Sequence, residues 1–194
     1  TANNVFASFA VANREPNRNN YTDAGPTEKP TSERLYDTEL GYNHQSDGFS
    51  FGANVYYMKY KNQLILNGKM SEIGELLTSN IPDSYRTGIE FAAGVKIIGG
   101  LRWDGNLNVS RNKILNFTEY VDMYDADWNW TDTKVNQFEK TDISYSPDLI
   151  ANSIISYSYK NFETALYSIY VGKQYLDNTS NNDRSIDPYF VNNL

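Results

Sequence analysis

The side chains best suited to chemistry in this chain are aromatics, carboxylates and arginines. They collect in stretches that read as connections between strands. Tyr120, Tyr124, Trp128 and Trp130 are interleaved with Asp122, Asp125, Asp127 and Asp132. Rings in such a loop can stack on an incoming ligand, and the carboxylates can hydrogen-bond to it or supply oxygens to Ca²⁺. The acidic spacing does not match an EF-hand loop. The plainer reading is a solvated loop edged by aromatic rings. Arg14, Glu15 and Arg18 open a second connection that Glu33 and Arg34 close. These charges either pair to fix the loop or face an anionic ligand.

Catalytic constellations are missing from the sequence. Cysteine is absent, so thiolate metal sites and disulfides are excluded. His44, the only histidine, sits at a short turn, which argues against a histidine-ligated metal or haem within this segment. There is no Walker loop, G-x-S-x-G or Cys–His pair. Asp37 and Glu39 share a strand face, but without a nearby base they are weak evidence for hydrolysis. The expectation is a binding or transport protein with no catalytic residue, no cofactor and no metal. The net charge of -7 and the pI of about 4.7 speak against nucleic acid as a partner.

The elements that must hold these residues show a rhythm. Strand-like runs fall near 4–14, 33–44, 48–66, 83–98, 100–118, 145–159, 162–176 and 186–194. Turns of a few residues at His44–Gly48, Gly99–Gly100 and Lys160–Asn161 alternate with long polar connections at 15–32, 67–82, 119–144 and 177–185. In an antiparallel meander, all short turns then lie at one end of the sheet and all long loops at the other. That is the layout of an outer-membrane β-barrel. The mean hydropathy of -0.61 does not oppose it, because membrane strands alternate polar with apolar residues.

Period-two patterning supports the same fold. Phe49, Phe51, Ala53, Val55 and Tyr57 share a face, as do Ile89, Phe91, Ala93, Val95 and Ile97. Leu101, Trp103, Leu107 and Val109 oppose Arg102, Asp104, Asn106 and Asn108, and Ala165, Tyr167, Ile169 and Val171 form a further apolar set. Along the apolar faces the first cations are Arg34, Lys59, Arg111 and Lys173, each about ten residues from its turn. A buried Lys or Arg costs roughly 2–4 kcal/mol at a bilayer midplane and little at the interface, so a charge-free band of this length fits a membrane. The 16 Tyr and 3 Trp suit interfacial girdles.

Several segments also carry a family resemblance. Tyr56–Gly68 (Tyr-Tyr-Met-Lys-Tyr-Lys-Asn-Gln-Leu-Ile-Leu-Asn-Gly), Ile81–Glu90, Asp142–Pro147, Tyr170–Thr179 and Ala10–Arg18 resemble the barrel of TonB-dependent receptors in the form common among Bacteroidetes. The resemblance implies an all-β chain: an antiparallel meander of about eight long strands, residues 1–194 forming an inner stretch of the C-terminal half of a 22-stranded transmembrane barrel. Plug, coupling box and closing strands are absent from the chain, and it opens within an apparent strand at Val5–Phe9, as an excised segment does. The function implied by resemblance is active uptake across the Gram-negative outer membrane. The cargo would be a ferric siderophore or another iron complex, the partners outer-membrane lipid and TonB acting through the plug, and the ligand contacts Tyr120, Tyr124, Trp128, Trp130, Arg14 and Arg18. Two alternatives stand beside it: a soluble carbohydrate-binding β-sandwich and a self-contained eight-stranded outer-membrane barrel.

Overall fold

The computed structural model describes residues 1–22, 24, 29–70 and 76–194. Its strands are β1 (Ala2–Arg14), β2 (Glu33–Gln45), β3 (Phe49–Met70), β4 (Leu76–Lys96), β5 (Leu101–Tyr124), β6 (Trp130–Asp142), β7 (Leu149–Tyr159), β8 (Phe162–Val171), β9 (Gln174–Tyr175), β10 (Ser185–Ile186) and β11 (Tyr189–Asn193). A short helix, α1 (Arg18–Thr22), and one 3-10 turn, Asn182–Arg184, lie in the connections. The main sheet runs β1-β2-β3-β4-β5-β7-β8-β11, all antiparallel, which is the expected eight-strand meander. The sheet does not close into a barrel within this chain, since β1 and β11 end the strand order.

The tight turns fall where the sequence requires them. Gly99 and Gly100 take φ of +56° and +87°, a left-handed backbone that suits glycine, and Lys160 takes +54° at the β7–β8 turn. At the opposite end the expectation of loops at 67–82 and 119–144 is corrected. β3 and β4 run on through most of the first segment, whose residues 71–75 lie outside the described ones, and β5 and β6 form a hairpin across the second. The 24 residues of β5 rise about 80 Å, far more than one bilayer requires. β6 pairs the upper part of β5, while β7 pairs the lower part from Leu101 to Val109. The sequence signal fades there because polar residues replace the apolar ones on the alternating face, while backbone pairing continues.

Register assigns the faces. One cross-strand row runs Val5–Tyr42–Ala53–Phe91–Leu107–Ala151–Tyr170, and the next Ala7–Leu40–Val55–Ile89–Val109–Leu149. Val5 is 71% exposed, Val55 50% and Val109 47%, so no described part of the chain covers this apolar face. The opposite face carries Asn4–Asn43–Gly52–Ala92–Asn106–Asn152. There Asn152 donates to Asn106 at 2.7 Å and Asn108 to Glu90 at 2.9 Å, while Arg102 pairs with Asp104. Register overturns one expectation. In β8 it is Phe162, Leu166 and Tyr170 that join the apolar rows, and Ala165, Tyr167, Ile169 and Val171 face the polar side; Lys173 lies beyond the strand. Both faces of β8 are rich in apolar residues, so alternation could not choose between them.

The alternation also changes phase part-way up the strands. On the polar side, inward residues are Tyr56 in β3, Ser84 in β4 and Ser110, Asn112 and Ile114 in β5. Beyond Asn62, Pro82 and Asn116 the inward set changes parity to Gln63, Ile65, Asn67, Ile81, Phe117 and Glu119. Asn62 and Asn116 have φ of +53° and +56°, and a single left-handed residue turns the strand so that the side-chain sequence skips one position. The shift brings Ile65, Ile81, Ile114, Phe117 and Ile143 into one dry cluster, with Phe138 stacked on Phe117 at 6.2 Å. Ile114 is fully buried, so Ile114→Ala should leave a cavity costing about 2–5 kcal/mol. Hydrogen exchange should show faster opening of the upper parts of β3 to β6 while β1, β2, β7 and β8 keep their protection.

Candidate functional site

Above this core the segment after β8 folds back over the extended strands. Asn178, 2% exposed, accepts from the Ser144 amide at 2.8 Å and donates to the Leu66 carbonyl at 3.0 Å. Ser180 donates to Asp142 at 2.8 Å and accepts from its amide at 2.7 Å. Arg184 bridges Glu119 of β5 at 2.9 Å and Asp177 at 2.7 Å, and Asn136 of β6 donates to the second Glu119 oxygen at 2.9 Å. Under this strap lies a cavity of about 530 Å³, whose lining includes Phe117, Tyr120, Tyr124, Leu176, Asp177 and Arg184. Its walls combine aromatic and aliphatic surface with a few fixed polar groups. Walls of that composition suit the binding of a small ligand. Among the described residues no group of three or more His, Asp or Glu is placed to hold a metal.

Of the residues singled out from sequence, Tyr120 and Tyr124 border this cavity, but the alternation that turns Phe117, Glu119 and Val121 toward it gives their side chains the other face, and Tyr124 is 53% exposed. Trp128 and Trp130 do not border it. They stand at the tip of the β5–β6 hairpin, 84% and 60% exposed. Arg14 is drawn into structure: it pairs with Glu33 at 2.8 Å, and Glu33 accepts from the Leu64 amide at 3.0 Å. The Glu33 carboxylate thereby satisfies a β3 donor just past Lys61, where β2 pairing with β3 stops. Arg18 is exposed on α1. The residues missed are Glu119, Asp177, Asn178 and Arg184. Asn178, Asn181 and Asn182 read as plain polar loop, yet Asn178 is a buried staple, Asn181 caps the 3-10 turn and Asn182 accepts from Lys173 at 2.6 Å. Glu119 had a signal, since it continues the period-two set of Phe117 and Val121.

The lower polar face offers a second concavity of about 560 Å³ near the short turns, lined by Asn4, Asn43, Ser50, Asp104, Asn106 and Asn152. Higher on that face Tyr56 lies over Gly88, where an added Cβ would come within 2.7 Å of the phenolic oxygen. Arg86 donates to Ser146 at 3.0 Å and fixes the crossing from β6 to β7. Asp37 and Glu39 lie on this wall, and His44, on the other face, contacts Asn3 at 2.8 Å.

A long antiparallel sheet with one bare apolar face, one polar face and extended hairpins at a single end defines a segment of a β-barrel wall. Residues 2–194 match the family model described as TonB dependent receptor-like, beta-barrel, and the chain belongs to that family. No curated protein sequence matches it significantly. Among similar solved structures, the copper transporter OprC has a TM-score of 0.69 at 16% identity, covering 98% of this chain and 28% of that one. The ferric yersiniabactin uptake receptor FyuA from Yersinia pestis has a TM-score of 0.65 at 20% identity, covering 98% and 26%. A doubly substituted ferric enterobactin receptor (PfeA) from Pseudomonas aeruginosa has 0.62 at 16%, covering 98% and 30%. The chain thus spans under a third of each of these proteins, and at such identities the likeness establishes the fold.

The hairpin tip is held by one carboxylate. Asp125 accepts from the amides of Asn129 at 2.8 Å and Asp127 at 2.9 Å, and from the Asn129 side chain at 3.1 Å. These bonds, those from Asn129 foremost, hold its carboxyl below the usual carboxylate range. They also hold Trp128 in a left-handed backbone at φ +64°. A depressed pKa stabilises the ordered tip fully above the ordinary value of about 4, and that contribution is lost as pH falls through the lower folded value. The Asn129 amide resonance should therefore be constant from neutral pH to about pH 5 and shift below about pH 4. Asp125→Ala should abolish the shift and leave the tip equally mobile at both ends of the range.

Proposed function

We propose that this chain is part of the wall of an outer-membrane receptor that takes up a scarce nutrient, most readily a ferric siderophore or another iron complex. The observation that carries the reading is the bare apolar band. It crosses the sheet from β1 to β8 and runs along β3 from Phe49 to Lys59, about 33 Å along a strand and about 24 Å along the normal at the usual tilt. Lipid is the cover that such a face requires. The function is transport and not catalysis, with TonB supplying energy through a plug that occupies the polar side. A soluble sugar-binding sandwich would need a second layer over Val5, Val55 and Val109, and their exposure counts against it.

In this reading the extended hairpins form the outer vestibule. Tyr120, Tyr124, Trp128 and Trp130 offer rings to the ligand at the rim of the cleft, and Arg18 adds positive charge. Arg14 contributes by locking Glu33 against β3. The iron default draws on the similar structures, two of which are receptors for ferric complexes. In the receptor that carries this segment, Tyr120→Ala combined with Tyr124→Ala should weaken cargo binding by about tenfold, or about 1.4 kcal/mol. Iron starvation should induce the gene, and its deletion should slow growth on the cognate iron complex. Induction by a polysaccharide alone, with iron without effect, would overturn the iron assignment.

A further inference from the structure

The cleft under the strap has a definite charge. Leu66, Phe117, Val121 and Leu176 give it apolar walls, and Glu119, Asp177 and Arg184 are its charged groups. Arg184 donates to Glu119 at 2.9 Å and to Asp177 at 2.7 Å through the same terminal nitrogen. One guanidinium is thus shared by two carboxylates, and one negative charge is left over. Glu119 is 4% exposed, so salt and water screen it little. Arg184 is the only cation among the described lining residues, and Arg18 lies outside the cleft on α1. Asp122 borders the cleft with its carboxylate on the other face, held by the Thr133 hydroxyl at 2.6 Å.

The surroundings carry the same sign. From Glu119 to Glu139 the β5–β6 hairpin has six carboxylates and one lysine, and from Asp177 to Asp187 the strap has three aspartates and one arginine. Asp122, Asp125, Asp127 and Asp132 are exposed along the hairpin. A ligand that approaches over the hairpin or the strap therefore meets a negative potential, and low-dielectric walls focus that field in the cleft. An acidic solvated face would by itself say nothing about a ligand. Here the excess charge continues into a walled cavity of about 530 Å³, a volume usual for small-molecule sites, where one carboxylate is buried and its cation is shared.

We propose that the cargo taken by this cleft is a neutral or cationic iron(III) complex of the tris-hydroxamate type, and that triply negative tris-catecholate complexes are excluded from it. Three hydroxamates carry one negative charge each and cancel the charge of iron(III). Three catecholates carry two each and leave a trianion, which would be brought against Glu119 and Asp177 with no free cation to receive it. The methylene linkers of a hydroxamate chain suit the walls at Leu66, Phe117, Val121 and Leu176, and a terminal ammonium takes up the charge that Arg184 leaves uncancelled. The inference rests on the uptake reading above and assigns the charge of the cargo within it.

The test uses the receptor that carries this segment, purified in detergent. It is titrated with ferrioxamine B, which ends in an ammonium group, and with the neutral N-acetylated and anionic N-succinylated forms of the same complex. All three share one chelate, so the terminal group alone sets the charge. At low ionic strength the ammonium form should bind about tenfold more tightly than the succinylated form, and the preference should shrink as salt is raised to about 0.5 M. Asp177→Asn removes the leftover charge while keeping an oxygen for the Thr179 amide and hydroxyl, and should reduce the preference to about twofold. Asp47→Asn, at the exposed short turn between β2 and β3, should leave it unchanged. Binding of the neutral form reports that the site is folded in each variant. Equal affinities across the series, or tighter binding of the succinylated form or of ferric enterobactin, a tris-catecholate, would overturn the charge selection and leave the uptake reading intact. Binding of no ferric complex of either type would overturn the iron reading, and this inference with it.

Discussion

Backbone pairing in one unbroken antiparallel ladder is the constraint on which the rest of this structure depends. From β1 to β8 each strand of the main sheet shares its hydrogen bonds with the next, and the register is free of shifts through the region of the apolar band. Because side chains alternate strictly in such a ladder, fixing one pair fixes a face for every residue in its row. Val5 and Leu107 share a surface although they lie on β1 and β5, and neither needs to touch the other for this to hold. A one-residue slip between any two strands would put asparagines and carboxylates of the polar side among the valines and phenylalanines.

The ladder also explains how one sheet can serve two environments. Up to Tyr60 the polar face needs only hydrogen-bonding side chains, and a Glu90–Asn108 or Asn106–Asn152 pair is sufficient there. Above Asn62, Pro82 and Asn116 the same strands must stand without an apolar cover outside. The parity change turns Ile65, Ile81 and Phe117 inward, where the strap from Asn178 to Arg184 closes over them. Two asparagines tolerate the left-handed backbone, and the proline removes a donor where the alternation breaks. The upper hairpins thus acquire a small core of their own and hold their shape beyond the band.

This division marks what was legible in the sequence. In the band, apolar and polar residues alternate because only one face is greasy, so β2, β3, β4 and β5 could be read nearly to their short turns. The asymmetry of turns and long connections came from the same strands. Above the band the alternation of hydropathy disappears, and Asn67, Thr78 or Thr133 look like loop residues although they lie in strands. β8 failed for the opposite reason, since Leu166 and Tyr167 are both apolar and neither parity stands out. The residues that border the cleft divided in the same way. Tyr120 and Tyr124 were conspicuous as aromatics in an acidic stretch. Arg184 and Glu119 are 65 positions apart, and only the fold-back of the strap makes them partners.

The strap and the ladder together set where change in this wall is tolerated. The band is a collective property: each row shares its bare apolar surface among five to seven residues, and one polar replacement disturbs a single position. The strapped region above it is not collective. Asn178 alone joins Ser144 to Leu66, and Arg184 alone joins Glu119 to Asp177. The hairpins above can accept different rims at Trp128 or Trp130 without loss of the cleft. Neither staple can be removed alone without cost, because loss of Asn178 leaves the Ser144 amide without its acceptor and loss of Arg184 leaves Glu119, 4% exposed, without its cation. Side chains at the exposed tips are therefore free to change, while the geometry of the cleft beneath them stays fixed.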